Sequence, residues 1–199
     1  MYLSRNKRGS LTISTFYDTF SHAFLMKFAN TTYRLVFFAS LIWCFFILSA
    51  PIAHHLHAST VADFIYGFFS RICHQLDSRS FHLFNAKLAV CARCTAIYYG
   101  FFLSVAFYPL LLKKAKFAAL AEDRTRSPWI LLFSVLPVLF DVLLSEIGIH
   151  ESTLITRAVT GVIFGIALPP FLLPLAQEGF KELRLELSLS LRRKIRHAE

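Results

Sequence analysis

Residues 35–53 read LVFFASLIWCFFILSAPIA and contain no Asp, Glu, Lys, Arg or His. A helix needs about 20 apolar residues to cross the roughly 30 Å hydrocarbon core of a bilayer. Three further apolar runs follow, at residues 96–112, 129–148 and 154–176. The composition agrees, because 56% of the chain is hydrophobic and only 17% is charged, against about a quarter in soluble domains. We therefore predict an all-α, polytopic membrane protein with about four transmembrane helices and additional interfacial helices.

The positive charges indicate how the spans are oriented. Most of the 21 Lys and Arg residues lie before the first run, between the second and third runs, or after the fourth. Loops rich in Lys and Arg stay in the cytoplasm, so we expect both termini there and residues 54–95 outside the inner or plasma membrane of a cell. The net charge of +9 follows from this distribution. No recognition motif accompanies the charge, so we expect no nucleic-acid partner.

The chain divides into three parts. Residues 1–34 are predicted to form a cytoplasmic or interfacial amphipathic segment, because Phe recurs at every fourth position in its second half. Residues 35–176 form the membrane bundle, in which the run at 61–72 is too short to span and is predicted to be a re-entrant or interfacial helix. The leucine pattern of residues 177–199 fits a strand or a helix. We favour a basic amphipathic helix, because a lone strand leaves its edges unpaired, and we expect both ends to contact anionic lipid.

Cysteine, histidine and arginine gather in the segment that precedes the second run. Three of the four cysteines lie in two short motifs, Cys73-His74-Gln75 and Cys91-Ala92-Arg93-Cys94. Thiolates and imidazoles bind zinc, iron or copper, so Cys73, His74, Cys91 and Cys94 are candidate metal ligands. A helix start beside Arg93 lowers the pKa of a thiol, which equally suits redox exchange by the same cysteines. Other histidines that would serve in place of His74 are His82, His54, His55 and His57.

Polar residues in and beside the apolar runs are predicted to face the protein interior, since a charge in lipid is costly. These residues are Asp141, Arg157, Gln75 and Arg79. With the third span running outward, Asp141 reaches the same depth as Arg157 and Arg93. An Asp141–Arg157 or Asp141–Arg93 ion pair would account for these charges. In the fourth span, Gly161 and Gly165 form a small-xxx-small pattern that predicts close approach of another helix.

At these motifs the chain resembles a family of predicted multi-spanning membrane proteins, domain of unknown function 2085. The resemblance covers roughly residues 65 to 168. The first block reads Cys73-His74-Gln75, Arg79-Ser80-Phe81 and Cys91-Ala92-Arg93-Cys94-Thr95-Ala96-Ile97-Tyr98, and the second comprises Pro137 through Asp141, Gly148, Glu151-Ser152, Arg157 and Thr160-Gly161. This sequence departs from the family pattern at Ala96, Val142 and Glu146. The resemblance implies a membrane protein and no particular activity.

Three functions remain open from the residues. The first is a metal site held by the cysteines and a histidine. The second is a membrane component, such as a small transporter subunit or assembly factor, whose outer loop is stapled by one disulfide. The third is a quinone-coupled thiol–disulfide oxidoreductase, in which Cys91 and Cys94 cycle, Cys73 exchanges and Arg93 favours either the thiolate or a quinone oxygen. The oligomeric state is unknown. The chain contains no glycine-rich phosphate loop, serine elbow or His-Glu-x-x-His motif, so ordinary soluble enzyme classes lack support.

Overall fold

Helices make up most of the architecture. The computed structural model describes residues 31–111, 127–149 and 151–196. Within these ranges there are five α-helices and one short hairpin. The helices are α1 (Thr31–His55), α2 (Ser59–Phe69), α3 (Ala92–Leu111), α4 (Ser127–Glu146) and α5 (Leu154–Arg196). Between α2 and α3 lie a 3₁₀ turn (Asp77–Arg79) and the antiparallel strands β1 (His82–Leu83) and β2 (Ala86–Lys87). The all-α class predicted from the sequence is confirmed.

Three of the described helices are long and apolar enough to cross a membrane. They are α1, the Trp129–Glu146 part of α4 and the Leu154–Phe180 part of α5. Large apolar side chains point outward from them, as in Phe45, which is 67% exposed, and Ile155, which is 74% exposed. Such surfaces match a lipid environment, since lipid is as apolar as these side chains. The predicted second run forms α3, which starts at Ala92 and therefore includes Arg93 and Cys94 in its first turn.

The last helix is longer than the sequence suggested. The predicted fourth span and the predicted tail are one continuous helix, α5, which runs through Pro169, Pro170 and Pro174. Each of these prolines lacks the backbone N–H that would donate within the helix. Membrane helices tolerate such residues because neighbouring helices and side chains satisfy the backbone groups left unpaired. The tail is thus helical as far as Arg196, and its amphipathic contact with lipid stays a prediction. The phenylalanine stripe before Thr31 and the basic residues between 113 and 126 lie outside the described residues.

Helices α3 and α5 touch backbone to backbone. A Cβ atom at Gly161 would lie 2.6 Å from the carbonyl oxygen of Arg93 and 2.9 Å from the Cβ of Ala96, and one at Gly165 would collide with the carbonyl of Ile97. The predicted close approach at the small-xxx-small pattern therefore occurs against α3. Small residues allow it because no side chain separates the two backbones. The contact holds the first turn of α3 against the first turns of α5.

Helix α1 lies on the other flank of α3. The Tyr99 hydroxyl donates to the carbonyl of Cys44 at 3.0 Å, and the Cys44 thiol donates to the carbonyl of Tyr98 at 3.6 Å. Cys44 is 4% exposed, as expected for a packing residue, and it lies outside the group formed by the other three cysteines. The Trp43 ring packs edge-on against Phe69 with ring centroids 5.4 Å apart. Helix α3 is thus held between α1 and α5.

A buried apolar cluster closes one end of the bundle. It joins the end of α1, helix α2 and the segment that follows the hairpin, and its members are Ile47, Ala50, Ile65, Phe69, Cys73, Leu88, Ala89 and Val90. The predicted short helix at 61–72 is observed as α2, which ends at Phe69. Because Cys73 belongs to this cluster, its position is determined by apolar packing as well as by the hydrogen bonds of the loop.

Candidate functional site

Three cysteines converge at this end of the bundle. Cys73 follows α2, Cys91 precedes α3, and Cys94 lies in the first turn of α3. Their Sγ atoms all lie within 4.8 Å of one another. All are free thiols; Cys73 is buried, whereas Cys91 and Cys94 are half-buried. The backbone N–H of Cys91 donates to the Sγ of Cys73 at 3.2 Å. Two segments that are separate in the sequence therefore form one thiol cluster.

Gln75 ties these two segments together. Its side-chain amide donates to the carbonyl of Tyr66 at 2.8 Å and to the carbonyl of Ala89 at 2.7 Å. Its own carbonyl accepts from Lys87 Nζ at 2.8 Å. Gln75 has a φ of 51°, a left-handed conformation that costs energy for residues other than glycine and persists only where the surroundings hold it. These three hydrogen bonds supply that support.

The hairpin returns the chain from Cys73 to Cys91. Its two turn residues, Phe84 and Asn85, have φ values of 52° and 61°, as a two-residue type I′ turn requires. The pairs His82–Lys87 and Leu83–Ala86 face each other across the strands. Because of this tight reversal, Cys73 and Cys91 are 18 positions apart in sequence, yet the backbone N–H of Cys91 is hydrogen-bonded to the Sγ of Cys73.

The thiols share their protons unequally. Hydrogen bonds from the Cys73 and Cys94 thiols lower the pKa of Cys91 far below the ordinary range of a thiol. The same contacts, with Cys73 first, raise the pKa of Cys94, and burial raises it further. These contacts favour a thiolate on Cys91 over one on Cys94. The start of α3 adds to this effect, since unpaired N–H groups at a helix N-terminus favour a thiolate.

The thiol cluster opens into a cavity of about 440 Å³. All three sulfurs line it. Three arginines from separate parts of the chain line it as well, and so does a carboxylate at the end of α4. The charged lining residues are Arg79, Arg93, Arg157 and Glu146. Cysteines and arginines therefore line one cavity.

A buried polar network forms the side of the cavity nearest the bundle. Asp141 of α4 accepts a charged hydrogen bond from Arg93 of α3, and it also accepts from the Ser152 hydroxyl at 2.9 Å. Arg157 Nε donates to the carbonyl of Ser152 at 3.2 Å. Of the two ion pairs proposed from the sequence, the structure forms Asp141–Arg93. Arg157 joins the network through the Ser152 backbone.

Two comparisons with known proteins bear on this arrangement. Residues 73–171 match the family described as "Predicted membrane protein (DUF2085)". An uncharacterized protein of Methanocaldococcus jannaschii is 32% identical over 148 residues, which cover 72% of this chain and 91% of that protein. The chain belongs to DUF2085. No solved structure matches it. The matched range begins at Cys73 and includes the three cysteines, Asp141 and Arg157, so the site of this DUF2085 protein lies within the family region.

The histidines proposed as a fourth ligand do not join the thiol cluster. Among the described residues, the three thiols are grouped without a histidine. His74 is exposed and lines the cavity. His82 Nε2 is 3.2 Å from Asp77, and the His55 ring stacks on Phe84 with centroids 4.5 Å apart. The described residues of this DUF2085 protein therefore do not form a complete Cys3His ligand set.

Other predicted polar residues occupy two environments. Asp141 and Arg157 lie inside candidate spans. Gln75 and Arg79, predicted as intramembrane, lie instead in the loop that follows α2. Sequence reasoning did not identify Ser152 and Glu146 as parts of the site. Two signals pointed to Ser152: its place in the Glu151-Ser152 part of the family pattern, and its position just before the fourth apolar run, where small hydroxyl residues also occur as helix caps.

Proposed function

We propose that this DUF2085 protein is a membrane metal-binding component that holds one soft metal ion on Cys73, Cys91 and Cys94. The observation that carries the proposal is the grouping of three Sγ atoms within 4.8 Å, by segments that the hairpin brings together. Cysteine sulfur binds zinc at about 2.3 Å, which sets sulfurs around one ion roughly 4 Å apart. The observed sulfur separations are close to that arrangement.

The donor set limits the choice of metal. Thiolates are soft ligands that select zinc, copper(I) or iron in clusters over magnesium or calcium. Three protein ligands leave one coordination position for zinc, as in sites that bind an exogenous ligand. That position would face the cavity, where His74 or a small ligand has access. Zinc and copper(I) are therefore the first candidates, and iron is the third.

Elemental analysis tests the proposal. The full chain would be purified in detergent without chelator, beside Cys91→Ser and Cys73→Ser variants. Cys44→Ser is the matched control, because Cys44 is a buried cysteine outside the cluster. We expect about one metal ion per chain in the native protein and the control, and much less in both cluster variants, since each thiolate removed weakens a structural site severely. Equal metal content in all four proteins would contradict the proposal.

The same samples distinguish a disulfide staple. In a metal-free protein with a disulfide staple, alkylation without reductant would modify only the two cysteines outside the disulfide. A metal site predicts instead that the three cluster thiols become reactive only after chelation. Absence of metal together with two permanently unreactive cysteines would contradict the metal site and support a disulfide staple.

A thiol–disulfide oxidoreductase is the second candidate, and one observation favours it. An apolar cavity of about 410 Å³ lies between α1 and α3, lined in part by Trp43, Ile97 and Tyr98. Tyr98 packs on the same apolar cluster as Cys94. A quinone in this cavity would accept two electrons as the thiolate of Cys91 and the thiol of Cys94 form a disulfide, and two protons, one from Cys94 and one from solvent, leaving quinol. Anaerobic mixing with a soluble quinone would then remove two free thiols and form quinol in the native protein but not in Cys94→Ser. An unchanged thiol count would exclude this candidate.

We also propose that the thiol cluster faces the exterior of the cell and that both termini are cytoplasmic. The distribution of Lys and Arg supports this orientation, because positively charged loops are retained in the cytoplasm. An exterior location would favour metal-bound thiols over free ones, since free thiols oxidise there.

A further inference from the structure

We propose that the cavity beside the thiol cluster binds a phosphate group through Arg79, Arg93 and Arg157. The ligand is a phosphate carried by a small molecule or by a lipid headgroup, and its phosphate oxygens would lie among the three guanidinium groups. This site is built from arginines, and it shares its cavity with the three cysteines of the proposed metal site. It adds a ligand class to the proposed function.

Arg157 is the strongest part of the argument. It is only 6% exposed, and it lines the cavity from the start of α5. Its Nε donates to the carbonyl of Ser152. Within the described ranges, its terminal amino groups have no hydrogen-bond acceptor. A buried cation with unused donors is costly unless an anion compensates it.

The two other guanidinium groups also have unused donors. Arg93 gives a terminal amino group to Asp141, while its Nε is buried without an acceptor. The half-buried side chain of Arg79 lines the cavity from the end of the 3₁₀ turn, and it forms no hydrogen bond or ion pair in the described part of the chain. Arginines from three separate segments thus line the same cavity.

The pairing of charges also favours an anion. Asp141 already accepts hydrogen bonds from Arg93 and Ser152. The cavity lining includes two groups that can carry negative charge, the exposed carboxylate of Glu146 and the thiol of Cys91. Like charges repel strongly at short range in a partly buried site. An anion in the cavity would offset the positive charge of Arg79 and Arg157, which lack a carboxylate partner among the described residues.

Phosphate fits the donors better than a carboxylate does. Guanidinium forks match the oxygens of phosphate in paired hydrogen bonds. A carboxylate has two oxygens, which three guanidinium groups would have to share, whereas phosphate presents additional oxygens. The cavity of about 440 Å³ is within the usual range for small-molecule sites. It is larger than a bare phosphate requires, so an attached organic group or glycerol backbone has room.

Titration calorimetry of the delipidated full chain with inorganic phosphate tests the proposal, with chloride at matched ionic strength as the reference. The variants are Arg79→Gln and Arg157→Lys. The matched control is Arg71→Gln, which removes the same charge from an exposed arginine of the same loop outside the cavity. We expect phosphate binding to weaken about tenfold or more in both cavity variants, because charged hydrogen bonds of this kind are worth about 1.4 kcal/mol or more. The control should bind as the native protein does.

A second arm separates the sources of phosphate. Native mass spectrometry would record how many phosphatidylglycerol molecules the chain retains, with and without inorganic phosphate. Arg79-dependent retention that inorganic phosphate displaces assigns the site to a lipid headgroup. Binding of inorganic phosphate without specific lipid retention assigns it to a soluble phosphate. Both results support the proposal.

Three results would overturn it. The first is that the native protein binds neither probe. The second is equal binding in Arg79→Gln, Arg157→Lys and the Arg71→Gln control. The third is phosphate binding that disappears in the Cys91→Ser variant but survives in Arg79→Gln, which would put the anion on the metal. Metal content should be unchanged in Arg79→Gln, so failure of this inference and failure of the metal proposal are distinguishable.

Discussion

Asp141 lies among apolar residues of α4 and is 8% exposed. It accepts hydrogen bonds from Arg93 and from Ser152, so both the carboxylate and one guanidinium are compensated. Asp141 belongs to α4 and Arg93 to α3, so their ion pair links these two helices. Removing one partner of a buried pair leaves an uncompensated charge, which is more destabilising than removing both.

This asymmetry gives a prediction for the ion pair. Asp141→Leu should destabilise the protein by about 3 kcal/mol or more, because Arg93 would remain buried without a carboxylate. The double variant Asp141→Leu/Arg93→Leu should recover much of that loss, since neither charge then needs compensation. The measurement is the midpoint of thermal unfolding in detergent. Equal stability of the single variant and the native protein would show that the pair has no structural role.

Gln75 carries the second prediction at the residue scale. Gln75→Ala leaves the carbonyl of Ala89 without its donor, at a cost of about 1–3 kcal/mol for a buried group left unpaired, whereas the carbonyl of Tyr66 keeps the backbone N–H of Ser70. It also loosens the link between the Cys73 and Cys91 segments. We expect a lower unfolding midpoint and weaker metal retention during dialysis against a mild chelator. Ser78→Ala, at an exposed position of the same loop, should change neither, and an equal effect of both variants would refute the role of Gln75.

At the scale of elements, the contact between α3 and α5 determines the geometry of the site. Gly161 rests on the carbonyl of Arg93, one residue before Cys94. Any widening of this contact moves the first turn of α3, and with it Arg93 and Cys94, away from Arg157. Helix packing and the position of the site residues are therefore coupled through one pair of backbones.

Substitution of this glycine tests the coupling. Gly161→Ala places a methyl group 2.6 Å from a backbone carbonyl, which cannot move alone, so we expect a loss of about 1–3 kcal/mol from overpacking. Gly179→Ala is the matched control in the same helix, since its added methyl meets nothing within 4 Å. The control should be neutral or slightly stabilising, because alanine favours a helix over glycine by about 1 kcal/mol. Thermal unfolding of both variants measures the difference, and a neutral Gly161→Ala would contradict the close contact.

At the scale of the whole molecule, the surface is apolar around the spans and the charged residues are concentrated at their ends. Three described helices are suited to cross a bilayer, and α3 lies between two of them. The site forms where α2, the hairpin and the starts of α3 and α5 meet. It therefore lies at one end of the bundle, and the orientation in the membrane decides which compartment supplies its ligands.

Labelling with a membrane-impermeant maleimide tests this orientation. Ser78→Cys lies in the loop of the site, and Glu182→Cys lies towards the other end of α5; both positions are exposed. The positive-inside rule predicts that intact cells label Ser78→Cys above the level of the native protein, and label Glu182→Cys only after permeabilisation. The reverse pattern would place the thiol cluster in the cytoplasm.

The sequence alone determined the class of the protein and the composition of its site. Long apolar runs specify membrane helices because every backbone polar group must be satisfied inside lipid, and this requirement is local. The Cys and Arg motifs could be recognised for the same reason, since residue type and spacing are properties of the chain. The small-xxx-small pattern of Gly161 and Gly165 likewise predicted a close helix contact.

Only the tertiary structure decided which residues meet. Asp141 pairs with Arg93 and not with Arg157 because of how α3 packs on α5. Ser152 donates to Asp141 because the connection before α5 is short. His74 lines the cavity but is not grouped with the three thiols among the described residues. These outcomes rest on contacts between residues far apart in sequence, whose distances are determined by packing and not by the local pattern of the chain.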